Sequence, residues 1–144
     1  SLKCSNDIKF IWRLPPMIDY QELIKTDSTL SKLPHNITIS TGSLSSDISN
    51  SQYVLYRGSS VVIQCAAYGL IPIYYKLSKE FTIDPLHEIS EGREIVSNEN
   101  EFIEVFSKNT TNKIKDKLIR YAMQMYSPLD VSILERMMLD KNNA

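Results

Sequence analysis

The sequence predicts an α/β domain whose strands form a doubly wound, mainly parallel sheet of about five strands. Short runs of apolar, β-branched and aromatic residues alternate with helical stretches over short links, which is the pattern of a parallel sheet covered by helices. The runs Gln52–Tyr56 and Leu70–Tyr75 also lack the polar alternation of half-exposed strands. We therefore expect strands that are buried on both faces of the sheet.

The strands are predicted from five runs: Ile8–Leu14, Ile37–Ser40, Gln52–Tyr56, Leu70–Tyr75 and Glu94–Val96. Pro15 and Pro16 end the first run, because a proline has no N–H to donate to a central ladder. For the same reason, Pro72 argues against a fully paired interior position for the fourth run.

The helices are predicted between and after these runs: Asp19–Leu33, Ser43–Asn50, a helix from Ser59 or Ser60 to Tyr68, one from about Glu99 to Ser107, Asn112–Tyr126 and a last one from Ser127. Gly69 ends the third helix, because glycine adopts the left-handed backbone without penalty. The two C-terminal helices, residues 112–144, each have an apolar face. In the last helix this face consists of Val131, Leu134, Met137 and Met138. Such faces pack either on the domain's own sheet or on another domain.

The composition suits one globular domain that spans the whole chain of 144 residues. Hydrophobic residues make up 42% and charged residues 23%, which excludes a disordered chain, because such chains are poor in apolar side chains. The formal net charge is -1, whereas proteins that bind nucleic acid through its phosphates usually carry a basic excess. We therefore expect no nucleic-acid partner.

Cysteine and histidine usage indicates the compartment and the absence of a metal site. Cys4 and Cys65 are too few for a disulfide framework, and with only two histidines they match no zinc spacing. No apolar run approaches the ~20 residues of a membrane-spanning helix, and nothing after Ser1 resembles a signal peptide. We expect a cytoplasmic protein with reduced cysteines, either processed at its start or cut from a longer protein.

The segment Tyr56–Tyr75 carries the strongest functional signal, because ligands of doubly wound sheets bind beyond the carboxyl ends of the strands. Its strand passes through Arg57-Gly58-Ser59-Ser60 directly into a helix. Gly58 permits close backbone approach, the amides at the helix start form an anion site, and Arg57 adds a charge suited to phosphate. Gln64 lies one turn further on and can face the same cleft. The alternative is an ordinary capped helix with a surface arginine.

Other candidates are weaker. Gly42 and Ser43 follow the second strand and would approach a nucleotide base, or they form a plain turn and helix cap. Tyr74 and Tyr75 could stack on a base, but only one of them, since consecutive strand residues face opposite sides. The scattered spacing of the acidic residues after the fourth strand favours a solvated surface over acid/base chemistry: Asp84, Glu88, Glu91 and Glu94.

A turn, helix and strand with a recurring residue pattern supports a family resemblance. The turn has a serine pair, the helix carries Gln64 and Ala66 and ends at Gly69, and the next strand contains Pro72. In the first run, Arg13 and Pro16 match an RxHP segment. From Ile8 to Phe106, the chain resembles the C-terminal nucleotide-sugar-binding domain of GT-B fold glycosyltransferases, especially those of bacterial surface-polysaccharide synthesis.

Two residues depart from the pattern of that family. Gln64 stands where the family usually has a glutamate that binds sugar hydroxyls, and Pro15 stands where it has a histidine. Glutamine can still accept a hydrogen bond from a hydroxyl, but it has no charge. The resemblance therefore implies a sugar-nucleotide cleft more strongly than any particular catalytic residue, and no catalytic residue is assigned.

The resemblance implies a Rossmann-like donor-binding domain of a glycosyltransferase in surface carbohydrate or capsule biosynthesis. A sugar nucleotide would be the substrate, with no further cofactor, and Arg13, Arg57 and the amides of Ser59 and Ser60 would hold its phosphates. An N-terminal acceptor-binding domain would be missing, so the chain alone is expected to be inactive. Peripheral association of the full-length protein with the inner membrane face stays open. The alternatives are a sugar-nucleotide 2-epimerase-like domain and a non-catalytic Rossmann-like binding module.

Overall fold

A computed structural model describes residues 8–79, 81, 83–107, 112–125 and 131–132, and these form an α/β fold. The strands are β1 (Phe10–Trp12), β2 (Ile37–Ile39), β3 (Tyr53–Tyr56), β4 (Ile71–Tyr75) and β5 (Glu94–Val96). The helices are α1 (Tyr20–Thr26), α2 (Leu44–Ser49), α3 (Val61–Ala67), α4 (Glu99–Val105) and α5 (Asn112–Met125), with a 3-10 turn at Ser28–Ser31. All five predicted strands are therefore present, each within two residues of its predicted start and end.

The strands form two parallel sheets rather than one. The first pairs β1 with β2, and the second has the order β3-β4-β5. The prediction of parallel pairing is confirmed, and the prediction of a single sheet of about five strands is wrong. Because β1 is only three residues long, it has few backbone groups with which to form a second ladder.

The direction of the backbone groups of β1 explains why the two sheets are separate. The Phe10 N–H donates to the Asn36 carbonyl at 2.8 Å, and the Trp12 carbonyl accepts the Ser40 N–H at 2.9 Å. Successive strand residues direct their backbone groups to opposite edges. Two of the three residues of β1 are thus committed to β2, and only Ile11 faces the other edge.

Side chains, instead of a ladder, join the first sheet to the second. The ring of Phe10 stacks on Phe102 of α4 with the ring centroids 6.1 Å apart. Phe102 belongs to a buried cluster with Ile73 of β4 and Val96 of β5, and Phe10 packs against that cluster. The aromatic pair therefore lies at the junction of β1 with the three-stranded sheet.

The three-stranded sheet is covered by helices on both faces. One face packs on α3 and α5 through a buried cluster: Tyr56, Val62, Ala66, Tyr74, Leu86, Ile89, Leu118 and Ala122. The other face packs on α4 through Ile73, Val96, Phe102 and Val105. This arrangement explains why β3 and β4 lack polar alternation, since neither strand has a face that lies wholly in solvent.

Pro72 occupies the middle strand of this sheet without disrupting it. The N–H of Ile71 donates at 2.9 Å to the carbonyl just ahead of β3, whereas the N–H of Lys76 donates at 2.8 Å to the last carbonyl of β5. Even-numbered residues of β4 therefore face β5, and Pro72 is one of them. Pairing with β5 begins only at Ile73, so the missing N–H of Pro72 lies beyond the end of that ladder.

The helix predicted over Asp19–Leu33 is wrong beyond Thr26. The side chain of Asp27 accepts the Thr29 N–H at 3.0 Å and starts a separate 3-10 turn. Asparagine and aspartate favour such local turns because their side chains compete for backbone amides.

Gly69 ends α3 as predicted. It has a φ of +86°, and its N–H donates to the Ala66 carbonyl at 2.9 Å. The next residue, Leu70, donates to the Cys65 carbonyl at 3.1 Å. These two bonds form a Schellman motif, which satisfies the carbonyls at a helix end.

The helix α5 packs on this domain's own core. Its residues Leu118 and Ala122 are 2% and 0% exposed within the cluster that covers β3 and β4. The last predicted helix lies outside the described residues apart from 131–132, as do Leu134, Met137 and Met138. Among the described residues, no helix is both long and apolar enough to cross a membrane.

Candidate functional site

The Arg57–Ser60 loop lies at the carboxyl end of β3, where the sequence predicts a phosphate site. Every residue of the loop is exposed, and Gly58 has a φ of +79° at the turn out of the strand. The Ser60 side chain makes no capping hydrogen bond to α3. Gln64 is half-buried one turn into the helix. The loop therefore presents two serine hydroxyls at the sheet edge. At the start of α3, the Val62 and Ile63 amides donate to the Ser59 and Ser60 carbonyls at 3.2 and 3.0 Å.

The start of α3 differs from the starts of the other described helices that follow a strand. In those helices a side chain accepts an amide hydrogen at the first turn: Asp19 in α1, Ser43 in α2 and Asn98 in α4. Each of them also has a carboxylate in its first turn, and α3 has neither feature. A carboxylate at that position would repel a phosphate, so among these four helices α3 has the start best suited to an anion.

Arg13 and Gly42, both predicted for the ligand site, are brought together at the carboxyl ends of β1 and β2. The Nη1 and Nη2 atoms of Arg13 each donate to the Gly42 carbonyl at 2.9 Å, and Nη1 lies 3.3 Å from a carboxylate oxygen of Asp47. Ser40 donates to the same oxygen at 2.6 Å. The guanidinium therefore ties β1 to the loop after β2, with the Arg13 side chain 34% exposed.

Ser43, the next candidate in this loop, caps α2. Its hydroxyl oxygen accepts the Ser46 N–H at 3.1 Å. Gly42 and Ser43 are both exposed. These contacts are those of the turn-and-cap alternative, and a role of the two residues toward a nucleotide stays a prediction.

A polar cluster that sequence reasoning missed lies at the same end of β3 as the Arg57–Ser60 loop. We call it the Tyr56 cluster, and it consists of Tyr56, Asp84 and Arg93. The Tyr56 hydroxyl donates to Asp84 Oδ1 at 2.8 Å, and Arg93 Nη1 donates to Asp84 Oδ2 and forms a salt bridge with it. The side chains of Arg93 and Asp84 are 9% and 10% exposed, and Tyr56 is 5% exposed. A buried ion pair thus abuts the last residue of β3.

The pKa values show that the ionised form of this pair is favoured. Burial alone would raise the pKa of the Asp84 carboxyl, but the Leu86 amide and Arg93 donate to it, and its pKa lies below the usual value. Burial would likewise lower the pKa of Arg93, and the bond to the carboxylate raises it instead. Burial and the Asp84 carboxylate both raise the pKa of the Tyr56 phenol. The phenol therefore stays a hydrogen-bond donor.

The interpretation of the acidic residues as a solvated surface is wrong for Asp84 and correct for Glu88 and Glu91, whereas Glu94 is half-buried in β5. Glu91 is paired with Lys117 of α5 at 2.8 Å, and these side chains are 55% and 59% exposed. Exposed Glu88 accepts the Tyr121 hydroxyl at 3.2 Å. One signal could have identified the buried pair. A tyrosine in a strand buried on both faces needs a partner for its hydroxyl.

Of the two tyrosines that end β4, the structure leaves one accessible. Tyr74 is 6% exposed, and its ring packs on Tyr56 with the centroids 5.4 Å apart. Tyr75 points to the opposite face and is 36% exposed. Only Tyr75 is therefore placed to meet a ligand ring, in agreement with the alternation predicted from the sequence.

A cavity of about 500 Å³ lies at the other end of the strands. Its lining includes Gln52 and Ile71, which precede or begin β3 and β4, together with Tyr68 and Lys115. It is thus at the amino edge of the sheet, away from the loops that the sequence assigns to ligand binding.

The chemistry of the described residues offers no evident metal centre. Within that part of the chain, no three His, Cys, Asp or Glu side chains are grouped so that they could hold an ion. Cys65 is a free, buried thiol in α3, and burial raises its pKa. A thiol of that kind is a poor nucleophile, because the thiolate is the reactive form.

Comparisons with protein-family models, with curated proteins and with solved structures find no match for this chain.

Proposed function

We propose that the chain is a Rossmann-like, doubly wound donor-binding domain of a glycosyltransferase in surface carbohydrate or capsule biosynthesis. The proposed ligand is a sugar nucleotide whose phosphates lie on the Arg57–Ser60 loop. Parallel strands with helices on both faces support the proposal, because folds of this class bind ligands beyond the carboxyl ends of their strands.

The observation that carries the proposal is the contrast between α3 and the other helices that follow strands. Only α3, among those described, starts without a side-chain cap and without a carboxylate in its first turn. Its loop is exposed and contains Arg57, Ser59 and Ser60. Amides, hydroxyls and a guanidinium are the groups that proteins use to hold phosphate.

These groups also suit the chemistry of sugar transfer. When the bond between the sugar and the phosphate breaks, negative charge develops on the departing nucleotide. Donors that are already aimed at that charge lower the barrier, because they need no reorganisation as the reaction proceeds. Arg57 and the Ser59 and Ser60 amides would supply this stabilisation. Arg13 would shape the neighbouring loop, since its guanidinium already binds the Gly42 carbonyl.

The groups that activate the acceptor are proposed to lie on another domain. The described residues would provide one wall of a cleft, and the proposed division of labour gives donor binding to this chain. We therefore expect the 144-residue chain to bind nucleotide but to transfer no sugar. Sugar transfer by this chain alone would contradict that division.

The test is binding of nucleoside mono- and diphosphates, measured by calorimetry and by the shift in melting temperature. A ligand at ~100 times its Kd adds about 2.7 kcal/mol to the free energy of unfolding. The sharpest variant is Ser60→Asp, which adds a carboxylate at the start of α3. We expect it to fold at least as stably as the wild type, since acidic residues stabilise helix starts by about 0.3–1 kcal/mol. We also expect its nucleotide affinity to fall at least about tenfold, as one charge interaction of ~1.4 kcal/mol implies.

Arg120→Ala is the matched control for Arg57→Ala, because Arg120 is an exposed arginine on α5. The first is expected to leave nucleotide affinity unchanged, and the second to weaken it. If no nucleoside phosphate binds the wild type, or if Ser60→Asp binds as tightly as the wild type, the phosphate site is wrong. The non-catalytic binding module then becomes the better description.

A further inference from the structure

The charged side chains of the Tyr56 cluster cost free energy to bury in a core. Moving two charges out of water costs several kcal/mol per ion, and a buried pair often adds no more stability than apolar residues of the same volume. In addition, the Nε atom of Arg93 is buried and has no hydrogen-bond partner among the described residues. The arrangement is therefore better explained by the geometry that it imposes than by the stability that it adds.

That geometry concerns the end of β3. Tyr56 is fixed at two points: its ring packs on Tyr74 with the centroids 5.4 Å apart, and its hydroxyl donates to Asp84 at 2.8 Å. Asp84 is held in turn by the Leu86 N–H at 2.9 Å and by Arg93. The next residue in the chain is Arg57. The last fixed residue before the loop is thus anchored by its hydroxyl.

We propose that Asp84 and Arg93 are positioning residues that hold the Tyr56 hydroxyl and thereby keep the Arg57–Ser60 loop in the conformation that binds a ligand. The ligand part of this inference rests on the proposed function. The ordering of the loop does not, since it can be measured without a ligand. Neither Asp84 nor Arg93 needs to touch the ligand, because both act through the end of β3.

The exposure of the loop supports a positioning role for Asp84 and Arg93 over direct contact with the ligand. The loop turns at Gly58, where φ is +79°, and it is exposed throughout. At the helix side, the Ser59 and Ser60 carbonyls accept the Val62 and Ile63 amides at 3.2 and 3.0 Å, which fixes that end of the loop to α3. The orientation of the loop is therefore set mainly by the residues at its two ends, and Tyr56 is the buried end on the strand side.

The test uses Tyr56→Phe, which keeps the ring and removes the hydroxyl. Its matched control is Tyr121→Phe, which also removes a tyrosine hydroxyl. That hydroxyl donates at 3.2 Å to exposed Glu88, which lies between Asp84 and Arg93 in the sequence. The first readout is the NMR order parameter of the backbone amides from Arg57 to Ser60. We expect a value near about 0.85 in the wild type and in the control, and below about 0.6 in Tyr56→Phe. The amides of α4 should keep their values in all three proteins.

The second readout is affinity for a nucleoside diphosphate, which we expect to fall at least about fivefold in Tyr56→Phe and to stay unchanged in Tyr121→Phe, as a coupling of ~1 kcal/mol would produce. Asp84→Asn provides a second variant, with the same expected loss of loop order. A wild type that binds no nucleotide while Tyr56→Phe loosens the loop would refute the proposed function and support the positioning role. Unchanged loop order in Tyr56→Phe and Asp84→Asn, or loosening spread evenly over β3, β4 and α4, would overturn the positioning role.

Discussion

The backbone at Gly92 lies close against α5, and its replacement by alanine tests how that helix is docked. Gly92 has a φ of +83°, which a residue with a Cβ adopts only with strain. An added Cβ would lie 3.1 Å from Leu118 Cβ and 3.3 Å from the carbonyl oxygen of Ile114. Neither neighbour is the flexible end of a side chain, so α5 itself would have to move.

Two other glycines of the chain separate these causes. Gly69 has a φ of +86°, but the nearest atom to an added Cβ is Ile119 Cδ1 at 3.6 Å, an ordinary contact. Its replacement costs only the left-handed strain of about 1–2 kcal/mol. Gly92→Ala adds overpacking of about 1–3 kcal/mol to that strain, for a sum of about 2–5 kcal/mol. Gly42 lacks a positive φ, and its nearest neighbour would be 3.8 Å away, so Gly42→Ala should change stability by less than ~1 kcal/mol.

The assay is urea unfolding of the three variants, followed by far-UV circular dichroism. We expect the loss of unfolding free energy to rank Gly92→Ala first, Gly69→Ala second and Gly42→Ala last. In thermal scans each kcal/mol corresponds to about 2–4 °C in Tm for a domain of this size. Equal losses for Gly92→Ala and Gly69→Ala would refute the close packing of α5 on Gly92 and leave backbone strain as the whole effect.

Three further predictions concern the Asp84 carboxylate, the cap of α4 and the docking of α5. Because the folded pKa of Asp84 lies below its usual value of about 3.9, its stabilising effect is present above that pH and is lost as the pH falls through the folded pKa. In urea unfolding, the stability difference between the wild type and Asp84→Asn should therefore shrink as the pH falls from 7 to 3, with the loss setting in at about pH 4. A constant difference would contradict the assignment. Asn98→Ala removes the cap that accepts the Glu101 N–H at 3.0 Å and should cost about 0.5–2 kcal/mol in the same assay, whereas no loss would mean that water replaces the cap. Leu118→Ala, at 2% exposure, should cost about 2–5 kcal/mol, and Met123→Ala, at 58% exposure, less than ~0.5 kcal/mol, so similar losses would show that α5 is not docked.

The positions of the strands were predictable from the sequence because they depend on local pattern. The prolines after β1 and the apolar runs of β3 and β4 mark elements whose bounds the structure shifts by at most two residues. The break of the first predicted helix was not predictable to the same degree. It depends on Asp27, whose side chain competes for the Thr29 amide, and apolar periodicity contains no information about that competition.

The pairing of strands and the Tyr56 cluster depend on contacts between distant parts of the chain. Whether β1 pairs with one neighbour or two is decided by the direction of three residues' backbone groups, which a hydrophobic pattern does not encode. Tyr56 and Asp84 are 28 residues apart, and the latter lies among acidic residues that remain in solvent. Only the fold distinguishes the buried carboxylate from its exposed neighbours.

For the proposed phosphate site, the position of the serine loop was predictable from the sequence, whereas the partners of Arg13 were not. The sequence places Ser59 and Ser60 between a strand and a helix, and the structure has them at that junction, exposed and without a capping bond. By contrast, Arg13 was assigned to phosphate through the resemblance, in which it matches the arginine of an RxHP segment. Its partners, Gly42 and Asp47, come from a loop and helix whose approach depends on β1 and β2 pairing.

The place of Pro72 has a consequence for how the sheet selects its alignment. Pro72 faces β5 one residue before the ladder begins at Ile73 and Glu94. If β5 moved along β4 by two residues in that direction, which keeps every side chain on its own face, a β5 carbonyl would meet the proline ring instead of an N–H. A slip that hydrophobic burial alone would tolerate is thereby penalised. Pro72 therefore limits where β5 can begin along β4, and hence where Arg93, the residue just before β5, is placed.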